Sequence, residues 1–224
     1  MKIALQAASS TVIGLAVFLL MVFWPAGTFD YWRGWAFIAV FAAATLIPSV
    51  YLAATNPAAL QRRMQAGPAA ETRPLQKVII TFAFFSMGAM IVVSALDFRF
   101  GWSSVPATVS VAGDVLVGVG LLIAMITTIQ NEYAAANINV EAEQKVVSTG
   151  VYSVVRHPMY FGNVVLILGT PLALGSYWGL LFVIPGLAVL AIRILDEEKV
   201  LALELNGYRD YAQRVHYRLV PGVW

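Results

Sequence analysis

The chain has no cysteine, which excludes disulfide staples, thiol nucleophiles and cysteine-ligated metals. Charge is scarce: 12% of the 224 residues are charged against 60% hydrophobic, whereas soluble domains carry roughly 25% charged residues. With a mean hydropathy of +0.78, much of the chain must meet lipid. The length suits one membrane domain without a separate soluble module. The formal charge of +2 comes without a basic block, so nothing points to nucleic acid. His157 and His216 stand far apart without HExxH-type spacing, so no metal site is expected. Gly113, Gly118 and Gly120 follow no strand; they suit close helix packing rather than a nucleotide loop. There is no internal repeat, so the inverted-repeat logic of many transporters finds no support.

What is present is a series of apolar runs, near the length of about 20 residues that a spanning helix needs. They cover 10–24, 35–54, 78–96 and 109–129, then 158–174 and 177–195 after a polar stretch over 130–156. The first follows a single Lys2, as a signal peptide would. It ends in Phe23-Trp24-Pro25-Ala26-Gly27 rather than a small-x-small cleavage site, so a retained helix is expected. Trp24, Tyr31, Trp32 and Trp35 read as an aromatic belt at the membrane interface. The link from Asn56-Pro57 to Pro74, with Arg62, Arg63 and Arg73, reads as a short amphipathic piece on the surface.

The last two runs are joined by Gly175-Ser176, which predicts an antiparallel helical hairpin. Beyond Glu198, Leu201, Leu205, Tyr208, Tyr211 and Val215 recur at helical spacing, broken at Asn206-Gly207, as in an amphipathic tail. The expected fold is all-α: a polytopic transmembrane bundle of about five to six spans with a C-terminal hairpin and that tail. With six spans, only Arg33 and Arg99 of the fourteen basic residues fall on one side. The other twelve (fourteen less two) mark their side as cytoplasmic.

Two clusters carry chemistry. Residues 149–160 pack a Gly150 turn, Tyr152, Arg156-His157, Pro158 and Tyr160 into one polar-to-apolar junction. At the far end of the hairpin, Arg193 and Glu197 are helical neighbours four residues apart. Asp196, Glu197 and Glu198 are consecutive acids at a helix C-terminus, where the macrodipole disfavours negative charge. Something positive must compensate: a sulfonium or ammonium group of a ligand, or Arg156 or Lys199. The plain alternative is a surface ion pair with a snorkelling Arg. For His157 the plain alternative is a helix cap. Tyr152 and Tyr160 offer flat faces to a heterocycle or a cation, and the backbone over 144–147 is a natural pocket wall.

These motifs resemble the isoprenylcysteine carboxyl methyltransferase family, within a wider group that includes membrane phospholipid methyltransferases. The residues concerned are Gly150-x-Tyr152, Arg156-His157-Pro158-x-Tyr160, Arg193-x-x-x-Glu197-Glu198-x-x-Leu201 and Gly207-Tyr208-x-x-Tyr211. Asp30-Tyr31-Trp32-Arg33-Gly34, Asn56-Pro57 and Asp97-x-Arg99-Phe100-Gly101-Trp102 are similar to bacterial members. The resemblance implies a single membrane domain over 1–224, with helices on the substrate side in 1–130 and the cofactor part in 131–224.

The implied cofactor is S-adenosylmethionine, with no metal. The acceptor would be a lipophilic molecule from the bilayer, most simply a carboxylate, and the site would face the cytoplasm at a bacterial inner membrane. Carried over by motif, Gln144, Lys145, Val146 and Val147 line the cofactor, and Tyr152, His157, Pro158, Met159 and Tyr160 cradle it. Glu197 binds cofactor and Arg193 orients the acceptor carboxylate, the two forming the catalytic pair. Asn137 is a further upstream cofactor contact, while Gln144 departs from the His of eukaryotic members. The other readings are a phospholipid amine N-methyltransferase, an NADPH-dependent sterol-type reductase, which needs more Arg and Lys for a 2′-phosphate, and a non-catalytic adaptor.

Overall fold

The computed structural model describes residues 2–64, 67–71, 73–134, 138, 140 and 144–224, with the side chains of 2–8, 10 and 11 left aside. Among these residues there are eight α-helices and no strand. The long ones are α1 (Lys2–Ala26), α2 (Trp32–Thr55), α4 (Pro74–Phe100), α5 (Ala107–Gln130), α6 (Pro158–Ala173) and α7 (Val183–Glu204). The short ones are α3 (Pro57–Met64) and α8 (Tyr208–Arg214). Four helical stretches are long and apolar enough to cross a bilayer: Trp32–Thr55, Pro74–Phe100, Ala107–Gln130 and Trp178–Glu204. Val12–Ala26 and Pro158–Ala173 are shorter apolar helices. The chain is therefore an integral membrane protein. The first, fifth and sixth expected spans fall on α1, α6 and α7.

One seam fixes the bundle. α6 packs along α5 far more closely than along α7, so the hairpin partner expected from chain order is not its main neighbour. Glycine is the reason. A Cβ on Gly113 would lie 2.2 Å from the Ala173 backbone nitrogen, and one on Gly120 would lie 2.5 Å from the Gly162 carbonyl. Gly162 and Gly169 meet Gly120 and Gly113 in the same way. Backbones approach this closely only where the side chain is absent. Gly118 instead faces Val40 across ordinary contact distance and takes no part.

At one end, Asp97 is fully buried and ties two links together. It accepts from the Ser103 amide and hydroxyl and from the Ser176 hydroxyl. Gly101, with φ 65°, closes α4 in the left-handed conformation so that the chain can turn back onto Asp97. Arg33 donates to the Val105 carbonyl and Arg99 lies against Gly27, so the two minority-side arginines share this end. Trp24, Trp32 and Trp35 are exposed as belt residues, but Tyr31 is buried and donates to the Leu174 carbonyl. The described parts of the 55–74, 130–158 and 204–224 links gather at the opposite end, where Asn56 meets Glu132, Arg73 meets Asp196 and Arg156 meets Glu198.

Gly120→Val should lower the thermal midpoint of the detergent-purified protein steeply. Overpacking alone costs about 1–3 kcal/mol, and here the clash is with backbone. Gly118→Val should leave the midpoint within a few degrees of the native one, and equal melting of the two variants would contradict the seam.

Candidate active site

α6 begins at Pro158, where the missing N–H costs no helical bond. The preceding 150–153 turn is 3-10, opened by Gly150 at φ 59° because a Cβ there would collide with Gln130. This delivers Tyr152, His157 and Tyr160 to one cavity at the polar end. α7 runs on through Glu204, so Glu197 and Leu201 face the same space. Gly207, at φ 82°, then turns α8 back across it, adding Tyr208 and Tyr211.

Gln144, Lys145, Val146, Val147, Tyr152, His157, Pro158, Met159, Tyr160 and Glu197 all line this single pocket. Arg193 does not. It lies one turn deeper, buried, behind Tyr160. Asn137 lies outside the described residues. The pocket also takes in Asn131, Tyr133, Tyr208 and Tyr211, which the sequence reading left out of the site. Tyr208 and Tyr211 stand in the Gly207-Tyr208-x-x-Tyr211 motif of the family likeness, but their helical spacing also suits tail amphipathicity and assigns them no ligand role.

The three consecutive acids meet three different fates. Asp196 receives a two-point contact from Arg73, at 2.6 and 3.0 Å, and a bond from the Gln76 amide. Glu198 receives Arg156 at 2.8 Å, Arg218 at 2.8 Å and the His157 Nε2 at 3.2 Å. Glu197 accepts from the Tyr160 hydroxyl. Tyr160 in turn accepts from Arg193 Nε at 2.9 Å. The Arg193–Glu197 neighbourhood thus closes through a phenol from α6.

Arg193 Nη1 donates to Glu71 at 2.9 Å and Gln76 at 2.7 Å, both from the link and helix start that precede α4's span. Glu71 is 3% exposed and Gln76 fully buried. Nothing local in 56–77 marks either as a partner of a residue in α7, 122 and 117 positions on. Two of the three acids are therefore compensated by the protein's own cations. His157 makes no side-chain cap to α6; its ring pairs with Glu198 and tilts against Tyr160 at 5.6 Å.

Arg156 is the latch of the tail. Beyond Glu198, its Nη1 donates to the carbonyls of Ala212, Val215 and His216, where α8 ends. A cation at a helix C-terminus is favourable. The Arg156 and His157 amides donate to the Tyr217 and Arg218 carbonyls at 2.9 Å. Tyr152 receives the Asn131 amide at 3.1 Å, and its carbonyl accepts from Tyr211 at 2.7 Å. Burial pushes the Tyr152 phenol up to about 12 and also raises the Tyr208 phenol, so both are neutral at pH 7. The Tyr208 hydroxyl is buried without a hydrogen-bond partner among the described residues.

Residues 108–205 match the family model for phospholipid methyltransferase. No curated protein matches the chain significantly. The matched region runs from α5 to the end of α7, and it holds all the pocket residues named from sequence together with Arg193. Tyr208 and Tyr211 lie beyond it.

Glu198→Gln should destabilise the protein by about 1.5–3 kcal/mol, the scale for hydrogen bonds to a charged group, because the cluster it holds is half-buried. Limited proteolysis should then cut the 205–224 tail first. A tail as protected as in the native protein would contradict the latch.

Proposed function

We propose, from the premise that residues 108–205 form a domain of the membrane methyltransferase superfamily, that the chain methylates a lipophilic acceptor with S-adenosylmethionine bound in this pocket. The superfamily includes isoprenylcysteine carboxyl methyltransferases as well as phospholipid methyltransferases. The observation that carries the reading is the pocket's unanswered chemistry. Among the described lining residues Glu197 is the only carboxylate, and among the described residues its hydrogen-bond donor is the Tyr160 phenol. The Tyr208 hydroxyl, from the same pocket wall, is buried without a hydrogen-bond partner among the described residues.

A carboxylate in a wall of tyrosines suits a ligand with cationic or hydroxyl donors and a flat ring. Lys145, exposed at the rim, suits a ligand carboxylate. When bound, the cofactor supplies an electrophilic methyl group on a sulfonium. The protein's part is to position acceptor and donor and to exclude water. A nicotinamide dinucleotide phosphate fits less well, because Arg156 is spent on Glu198 and three carbonyls and leaves Lys145 alone. The basic-residue bias favours a cytoplasmic orientation of this end, where the cofactor is made, and the likeness to bacterial members favours an inner membrane.

The acceptor's apolar part has a place. Between α4, α6 and α7, Phe84, Met87, Met90, Leu166, Ile167 and Leu190 line a cavity of about 240 Å³. Its upper end reaches Asn163, one turn from Tyr160, and Leu190, one turn from Arg193. An alkyl or isoprenoid chain lying there brings its head to the Arg193–Tyr160–Glu197 series. A carboxylate head is already ionised at pH 7 and needs no base, and Arg193 is its natural ligand once Glu71 yields. One observation favours an amine head instead: Arg193 is opposed by both Glu71 and Glu197, so this series is net negative. An amine must also shed a proton, which Glu197 is placed to take.

Incubation of the purified protein with radiolabelled methyl donor and a bacterial lipid extract tests both the reaction and the acceptor. Label released by mild base as methanol marks a carboxyl ester, and base-stable label marks an amine. No label in any lipid, despite cofactor binding, would contradict the proposed activity. Glu197→Gln should weaken S-adenosylhomocysteine binding by roughly 1.5–3 kcal/mol, as for a hydrogen bond to a charged group. Tyr208→Phe should weaken it while leaving thermal stability unchanged or raised, since the lost hydroxyl is unpaired in the free protein. Native affinity in both folded variants would sink the site assignment.

A further inference from the structure

The link that supplies Glu71 also supplies a cation for which the methyl-transfer reading has no use. Arg63 stands in the last turn of α3. Its Nη1 donates to the Thr128 hydroxyl at 3.1 Å and meets the Met159 sulfur at 3.4 Å. Its Nε and Nη2 donate to no described residue, and no described carboxylate pairs with it. A guanidinium carries five N–H donors in a fixed fork, so most of this one is unspent. Burial lowers its pKa, but an arginine in a protein stays charged. A charge so placed favours an anion beside it.

Beside Arg63 opens a cavity of about 200 Å³, separate from the α4–α6–α7 groove. Pro48 and Leu52 of α2, Leu60 of α3, and Leu121, Ala124 and Met125 of α5 form its apolar wall. The hydroxyls of Thr45 and Ser49 on that wall are returned to carbonyls of their own helix. The polar end is therefore Arg63 with Thr128. Both α2 and α5 are long and apolar enough to cross a bilayer, which puts the cavity's apolar wall at the depth of lipid chains and its charged end toward the polar links.

We propose that this groove is a binding site for an anionic lipid of the surrounding bilayer. One chain lies between α2, α3 and α5, and the carboxylate or phosphate head takes the fork of Arg63 as a charge-assisted pair. The groove is separate from the cofactor pocket, although Met159 of that pocket's wall also meets Arg63. The other use of Arg63 is as a staple holding α3 to α5 through Thr128, which predicts no preference for charge in what the groove holds.

A diazirine-bearing long-chain fatty acid, cross-linked to the full-length protein in neutral detergent and mapped by mass spectrometry, separates the two. Cross-links should fall on Leu52, Leu60, Leu121 or Met125. The methyl ester of the same probe should give roughly tenfold fewer, the ratio set by about 1.4 kcal/mol. Arg63→Gln should lose the acid probe to the same degree, and Arg63→Lys should retain much of it. Equal labelling by acid and ester in the native protein would overturn the proposal, and that comparison needs no variant to fold. Labelling confined to the α4–α6–α7 groove, or native labelling in a folded Arg63→Gln protein, would overturn it as well.

Discussion

The polar end of this protein is organised around the Glu198 carboxylate. Arg156 and His157, which launch α6, and Arg218, from the tail, all converge on it from separate parts of the chain. Each of those groups brings a pocket wall with it: His157 carries Pro158, Met159 and Tyr160, and the tail carries Tyr208 and Tyr211. A carboxylate so deeply engaged is costly to desolvate and is held only because its partners are also fixed. Arg156 is fixed by three carbonyls at the end of α8, so charge pairing and helix termination support one another.

The neighbouring acids show how one turn of helix distributes function. Consecutive residues on a helix point about 100° apart. Asp196 therefore faces Arg73 and Gln76, Glu198 faces the α6 start and tail, and Glu197 between them faces the cavity. Neutralising the outer two acids with protein cations leaves the middle one as the charge that a ligand meets. Behind it, Arg193 is held by Glu71 and Gln76, so the first half of the chain sets the charge behind the pocket.

Much of this was legible in the sequence because it is periodic or local. The apolar runs announced the helices, and the glycines of α5 announced a close seam. The 149–160 junction and Glu197 stand on two sides of the pocket, and ten residues named from the family likeness line it, while Arg193 lies behind it. The limits were non-local. Glycines in α5 do not say which helix they face, and the partner proved to be α6. Glu71 and Gln76 look like ordinary link residues until α7 is packed against them. Tyr208 and Tyr211 carry a helical spacing that serves core packing and a ligand wall equally well. Tyr31 reads as a belt residue by type, yet its hydroxyl finds the Leu174 carbonyl and draws the ring inside.

The central claim is that the pocket between the 144–160 segment, α7 and α8 is built for a methyl donor. Isothermal titration of the detergent-purified native protein with S-adenosylhomocysteine and with NADPH tests it most directly. The account predicts saturable, one-site binding of S-adenosylhomocysteine and none of NADPH over the same concentration range. Binding of NADPH with no S-adenosylhomocysteine signal would contradict it.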